Sequence, residues 1–130
     1  MENIQVPVSP GEVLDKITIL EIKSERMDDP QKVANVRVEL KLLQDTWRKA
    51  IEDDDVIADL HAQLKEINES LWEIEDDIRD KERAKEFDEK FIELARAVYF
   101  TNDRRSEVKK KLNLHLGSQI VEEKSYQDYT

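Results

Sequence analysis

Val56, Leu60, Leu64, Ile67, Leu71, Ile74 and Ile78 repeat apolar side chains at steps of three and four over more than twenty positions. That spacing closes on one face of a helix turning about 100° per residue and on no face of a strand, so it specifies a long amphipathic helix. Such a helix needs a partner along its length, and one lies next in sequence. Residues 87–116 carry Phe87, Phe91, Leu94, Ala95, Val98, Leu112 and Leu116 on one stripe, separated from the first by a short charged turn near residues 84–86. A connection that short makes the two helices antiparallel neighbours. Chain breakers are few, with only 2 Gly and 3 Pro, and they fall where helices can end, at Asp28-Asp29-Pro30 and the acidic break Asp53-Asp54-Asp55. The expected helices cover about 10–28, 31–51, 55–83 and 87–116. The expected fold is all-α, a four-helix antiparallel bundle of long helices with a short extended N-terminal arm and a C-terminal tail, in a single helical domain over residues 1–130.

Ser9-Pro10-Gly11-Glu12 reads as a complete helix start, with Ser9 as N-cap, Pro10 at the first helical position and Glu12 as the capping-box partner. Gly117 suits the C-terminal end of the last helix. Ile4, Val6 and Val8 alternate with polar positions and Pro7, which gives a short strand or extended arm that is an edge element at best. The tail from Gln119 to Tyr126 is weakly strand-like and is expected to pair with that arm. In the first helix Val13, Leu14, Ile17 and Leu20 share a face while Ile19 and Ile22 lie nearly opposite, so it needs neighbours on two sides. The second helix carries Val33, Val36, Leu40, Leu43, Trp47 and Ile51 on one face.

Asn102, Arg105 and Lys109 interrupt the apolar stripe of the fourth helix. An unpaired amide facing a core costs roughly 2–7 kcal/mol, and a charge more, so these residues require either a buried network or a ligand. For Arg105 the candidate carboxylates are Glu75, Glu21 and Asp15. Beside the stripe of the third helix runs a second row, Asn68, Trp72, Glu75 and Arg79. The candidate site is therefore Asp15, Lys16, Glu21, Asn68, Trp72, Glu75, Arg79, Asn102 and Arg105, read either as a polar network that fixes helix register or as the lining of a pocket for an anionic small molecule. Lys109, Lys110 and Lys111 are expected to balance Asp53, Asp54, Asp55 and Asp59 across the hairpin.

Charged residues make up 40% of the chain and the net charge is −10, which argues against partners recognised through a cationic surface, nucleic acid and anionic membranes among them. Glu66, Glu69, Glu73, Asp76, Asp77 and Asp80 lie opposite the apolar stripe and face solvent, so they do not converge on a metal; His61 and His115 are isolated. No metal and no cofactor is expected, and no serine, lysine or histidine stands in a nucleophile arrangement, which leaves catalytic residues unassigned. The chain has no Cys and no apolar run of membrane-spanning length, so a cytoplasmic protein is expected. Apolar stripes on more than one side of the first helix, with Trp47 and Trp72, exceed what so thin a monomer can cover and point to a homodimer.

The motifs Val6-Pro7-Val8-Ser9-Pro10-Gly11-Glu12 with Asp15-Lys16-Ile17-Thr18-Ile19-Leu20, Leu71-Trp72-Glu73-Ile74-Glu75-Asp76, Phe91 to Arg105, and Val121-Glu122-Glu123-Lys124-Ser125-Tyr126 carry a resemblance. Through them the chain resembles an uncharacterised family of short, all-helical bacterial and phage-encoded proteins of about this length. That resemblance implies no reaction; it implies a setting near genes for surface polysaccharides. The expected function is a non-enzymatic helical binding or scaffold protein. The alternative is a small all-α enzyme or ligand sensor that holds an anionic metabolite between helices.

Overall fold

The structure, a computed structural model, describes residues 1–125 and 128. Four helices hold about three quarters of them: α1 (Pro10–Arg26), α2 (Pro30–Ala50), α3 (Asp55–Ala84) and α4 (Glu89–His115). Each begins on a side-chain oxygen that takes an otherwise orphaned backbone N–H, from Ser9, Asp29, Asp54 and Asp88 in turn. The three aspartates also place negative charge at the positive end of each helix dipole. At the far end of α4, Gly117 adopts φ 65°, and the Ser118 N–H reaches back to the Asn113 carbonyl at 2.8 Å. This left-handed closure is the one a glycine makes without strain.

α1 is the hub. It packs against all three other helices, α3 and α4 form a hairpin, and α2 leans on α1. Gly11 meets Asn113 and Asp15 meets Arg105, so α1 and α4 are antiparallel. Asp54 pairs with His115 at one end of the α3–α4 hairpin, and Lys81 pairs with Asp88 at the other. One core joins the helices, built from Leu14, Ile17, Trp47, Ile57, Leu60, Leu64, Ile67, Val108 and Leu112. Ile22 is buried as well, outside this cluster and about 140° round α1 from Ile17, as the divided apolar pattern of that helix requires.

Three expectations need correction. The buried stripe of α3 starts at Ile57, while Val56 is 48% exposed: one residue is a quarter-turn or more, and the Ile57, Leu60, Leu64, Ile67 spacing is the one that faces the core. No strand occurs among the described residues; Ile4, Val6 and Val8 are exposed, because an all-helical fold offers no sheet edge and Pro7 has no N–H to pair. The tail does not pair with the arm either. It lies along the end of α4, where Glu122 pairs with Lys109 and Glu123 with Lys110; Tyr126 lies outside the described residues.

The helices differ in length, and this shapes the surface. α3 has 30 residues and α1 has 17, so at about 1.5 Å per residue α3 outreaches α1 by roughly 20 Å. Arg26, at the end of α1, reaches Glu69 and Glu73. Beyond that level the α3–α4 hairpin continues without α1 beside it. There Ile74, Ile78, Phe91 and Val98 are only half-buried, and Phe87 and Ile92 are exposed.

Candidate functional site

The polar interruptions of α4 form a comb at steps of three and four: Asn102, Arg105, Lys109 and Asn113. Opposite stands a second comb on α1, Gly11, Asp15 and Thr18, at the same steps. Antiparallel packing sets the two against each other. Gly11 donates its N–H to Asn113 Oδ1 at 2.7 Å, an approach that leaves no room for a side chain, since a Cβ there would stand 2.8 Å from the Lys109 carbonyl. One turn on, Asp15 is 3% exposed and accepts from Arg105 through both oxygens, Nε to Oδ1 at 2.9 Å and Nη2 to Oδ2 at 2.5 Å. This bidentate fork matches a guanidinium to a carboxylate. Its hydrogen bonds hold the Arg105 pKa above the ordinary value against the opposing effect of burial.

Asn68 of α3 completes the network. Its Nδ2 donates to Asp15 Oδ1 at 2.9 Å and to Thr18 Oγ1 at 2.8 Å, while Thr18 donates to the Asp15 carbonyl at 2.7 Å. Three helices are thereby joined at one carboxylate. Arg105 Nη1 also reaches Asn102 Oδ1, at 3.4 Å. Every buried side-chain nitrogen and oxygen among the described residues has a partner. Next along α4, Lys109 is nearly buried and contacts Glu12 at 2.5 Å, Glu122 at 3.3 Å and Asp15 at 4.0 Å. The Glu12 carboxylate thus serves Lys109, and only the Ser9 half of the expected capping box forms. Glu122 is held below the ordinary carboxylate range by its hydrogen bond to Lys124, and Lys109 adds to the effect.

Two clefts flank this network, and Asn102 and Arg105 line both. The larger, about 690 Å³, opens on Glu12, Tyr99, Ser106, Lys109 and Glu122. The smaller, about 350 Å³, lies between α1, α3 and α4, with Ile19, Ile22, Asn68, Leu71, Trp72, Glu75 and Arg79 in its walls. Of the nine candidate residues, Asn68, Trp72, Glu75, Arg79, Asn102 and Arg105 meet at the smaller cleft, with Asp15 bonded behind them. The other two point elsewhere. Lys16, one position after Asp15, is rotated towards α2 and pairs with Glu39 at 2.7 Å on the surface. Glu21 pairs with His61 at 2.7 Å. Glu75 takes Arg79 at 2.8 Å within its own helix and so is not the partner of Arg105.

Lys109 and Lys110 are also placed differently from the expectation. Lys109 and Lys110 face Glu12 and the tail, while Asp54 caps α3 and takes His115, and Asp53 accepts the Trp47 indole N–H at 2.8 Å. Thr18, Asn113 and Gly11 were not among the candidates. Asn113 continues the three–four comb of Asn102, Arg105 and Lys109, a signal available in the spacing. Gly11 had no such signal until α4 was placed beside it; the phase of Thr18, between the two apolar faces of α1, already pointed to burial, and its partner is Asn68 of α3. Among the described residues no group of three His, Asp or Glu side chains gathers as a cation site, and no helix is long and apolar enough to cross a membrane.

Compared with known proteins, the chain matches a family of unknown function, DUF6165, over residues 4–129, and it belongs to that family. No curated protein and no solved structure matches it.

Proposed function

With membership of a family of unknown function as the premise, we propose that this protein is a non-enzymatic helical scaffold that works as a homodimer, its α3–α4 hairpins packed tip against tip. The observation that carries the reading is the uncovered distal hairpin. Two helices alone shield their shared seam on two sides only, which is why Ile74, Ile78, Phe91 and Val98 stay half-buried there and Phe87 and Ile92 are exposed. A second hairpin laid on the first would complete a four-helix layer.

Charge favours a second copy as the occupant. Residues 52–89 hold 16 acidic and 5 basic side chains, and residues 90–116 hold 3 acidic and 7 basic. Near the tip a two-fold pairing lays Lys90 and Arg96 of one copy's α4 beside Glu73, Asp76, Asp77 and Asp80 of the other's α3, and the same patch serves both partners. The Asp15–Arg105–Asn68 network supports a scaffold as well, because its charges satisfy one another and hold α1 in register on the hairpin. The resemblance adds a setting near surface-polysaccharide genes, where the dimer would present its α1–α2 ends to a partner. Sedimentation of wild type beside Phe87→Glu tests the proposal. A dimer that the substitution converts to a folded monomer supports it, and a wild-type monomer at micromolar concentration overturns it.

A further inference from the structure

We propose that the smaller cleft binds a small organic carboxylate with a planar apolar body, its oxygens on Asn102 and Arg105 and its body against Trp72. The larger cleft is less suited, since the chain's own Glu12 and Glu122 already sit on Lys109, its most buried cation. In the smaller cleft the division of labour differs. Half-buried Ile19, Leu71 and Trp72 supply apolar walls, with buried Ile22 behind them.

Donors remain at the polar end. Arg105 has five N–H groups; two go to Asp15 and one makes a long bond to Asn102, so two are left. Among the described residues Asn102 Nδ2 has no hydrogen-bond partner, and its Oδ1 is already turned to the guanidinium. Two residues one turn apart, both lining this cleft, therefore keep donors that no acceptor among the described residues takes, a set that suits a planar pair of oxygens. Asp15 holds Arg105 in this pose from behind, a preorganisation that lowers the ordering cost of binding. At the rim Arg79 is tied to Glu75, which leaves the anchoring to Arg105 and Asn102. An aromatic wall above an anion anchor selects a ligand with both parts.

The test uses the full chain and benzoate as probe, with acetate as the charge without the ring and benzyl alcohol as the ring without the charge. The readout is the indole N–H resonance of Trp72, distinguished from that of Trp47 by Trp72→Phe. Benzoate should shift the Trp72 resonance saturably and leave Trp47, hydrogen-bonded to Asp53, unmoved. Acetate and benzyl alcohol should each bind at least about tenfold more weakly. Asn102→Asp places a carboxylate where the ligand's would sit and should weaken benzoate by about tenfold or more while the helical spectrum is unchanged. The proposal is overturned by the absence of a saturable shift, by benzyl alcohol matching benzoate, or by Asn102→Asp binding benzoate as wild type does. The chain mass, followed in the same titration, separates this outcome from any change in dimerisation.

Discussion

Asp15 accepts three hydrogen bonds from two other helices while its side chain is 4% exposed, so any loss of a partner leaves a charge with nowhere to turn. Arg105→Ala should therefore cost roughly 3 kcal/mol in urea unfolding, towards the low end for a broken buried pair because the guanidinium edge is in water. Pairing Arg105→Met with Asp15→Leu should recover most of that loss, since apolar groups of similar volume need no partners. An unchanged urea midpoint for Arg105→Ala would mean that the fork does not hold the fold. Gly11→Ala should cost about 1–3 kcal/mol in the same assay, because its Cβ must push aside the Lys109 carbonyl or break the N–H bond to Asn113. The inward phase of Arg105 was legible in the sequence from the helical period alone. Its choice of Asp15 over Glu21 and Glu75 was not, because the partner is 90 residues away and depends on how α1 is rotated against α4. Lys16 shows the limit of such reasoning: one residue from Asp15, it lands on another helix.

At the scale of elements, the helices were readable because each carries its own start. Ser9 and the Asp53–Asp55 break announced α1 and α3, and Gly117 announced the end of α4, all through local bonds that need no tertiary context. The tail was not readable. Its alternating pattern resembles a strand, but its place is decided by ion pairs from Glu122 and Glu123 to α4. This attachment gives a pH dependence whose sign follows from Glu122. Its carboxyl is held below the ordinary 4.5, first by Lys124 and then by Lys109, so the folded tail favours the charged form. The contact is complete above that ordinary value and is lost as pH falls through the lowered one. Backbone order parameters of residues 119–123 from 15N relaxation should therefore be high at neutral pH and fall as the pH drops below 4.5, with Glu122→Gln low throughout. Order parameters already low at pH 7 would show that the pairs do not hold the tail.

For the whole molecule, uneven helix length is the decisive property: a short hub helix supports only part of a long hairpin, and the remainder has two layers where a core needs more. The apolar surplus was visible in the sequence as stripes on two sides of α1 and a pair of tryptophans. Its location on the distal hairpin was not, because Trp47 goes into the core and it is the end of α1 that exposes the rest. If a second copy covers the hairpin, folding and association are linked, and the melting temperature should rise with protein concentration; a concentration-independent value would uncouple them. The most direct test measures where the two copies meet. The chain has no Cys, so Ile92→Cys carries a single spin label on the exposed hairpin and Val38→Cys carries one on α2. Hairpin-to-hairpin pairing predicts a sharp distance between copies from the Ile92→Cys label, shorter than that from Val38→Cys. No distance between copies from either label, or a shorter one from Val38→Cys, would contradict it.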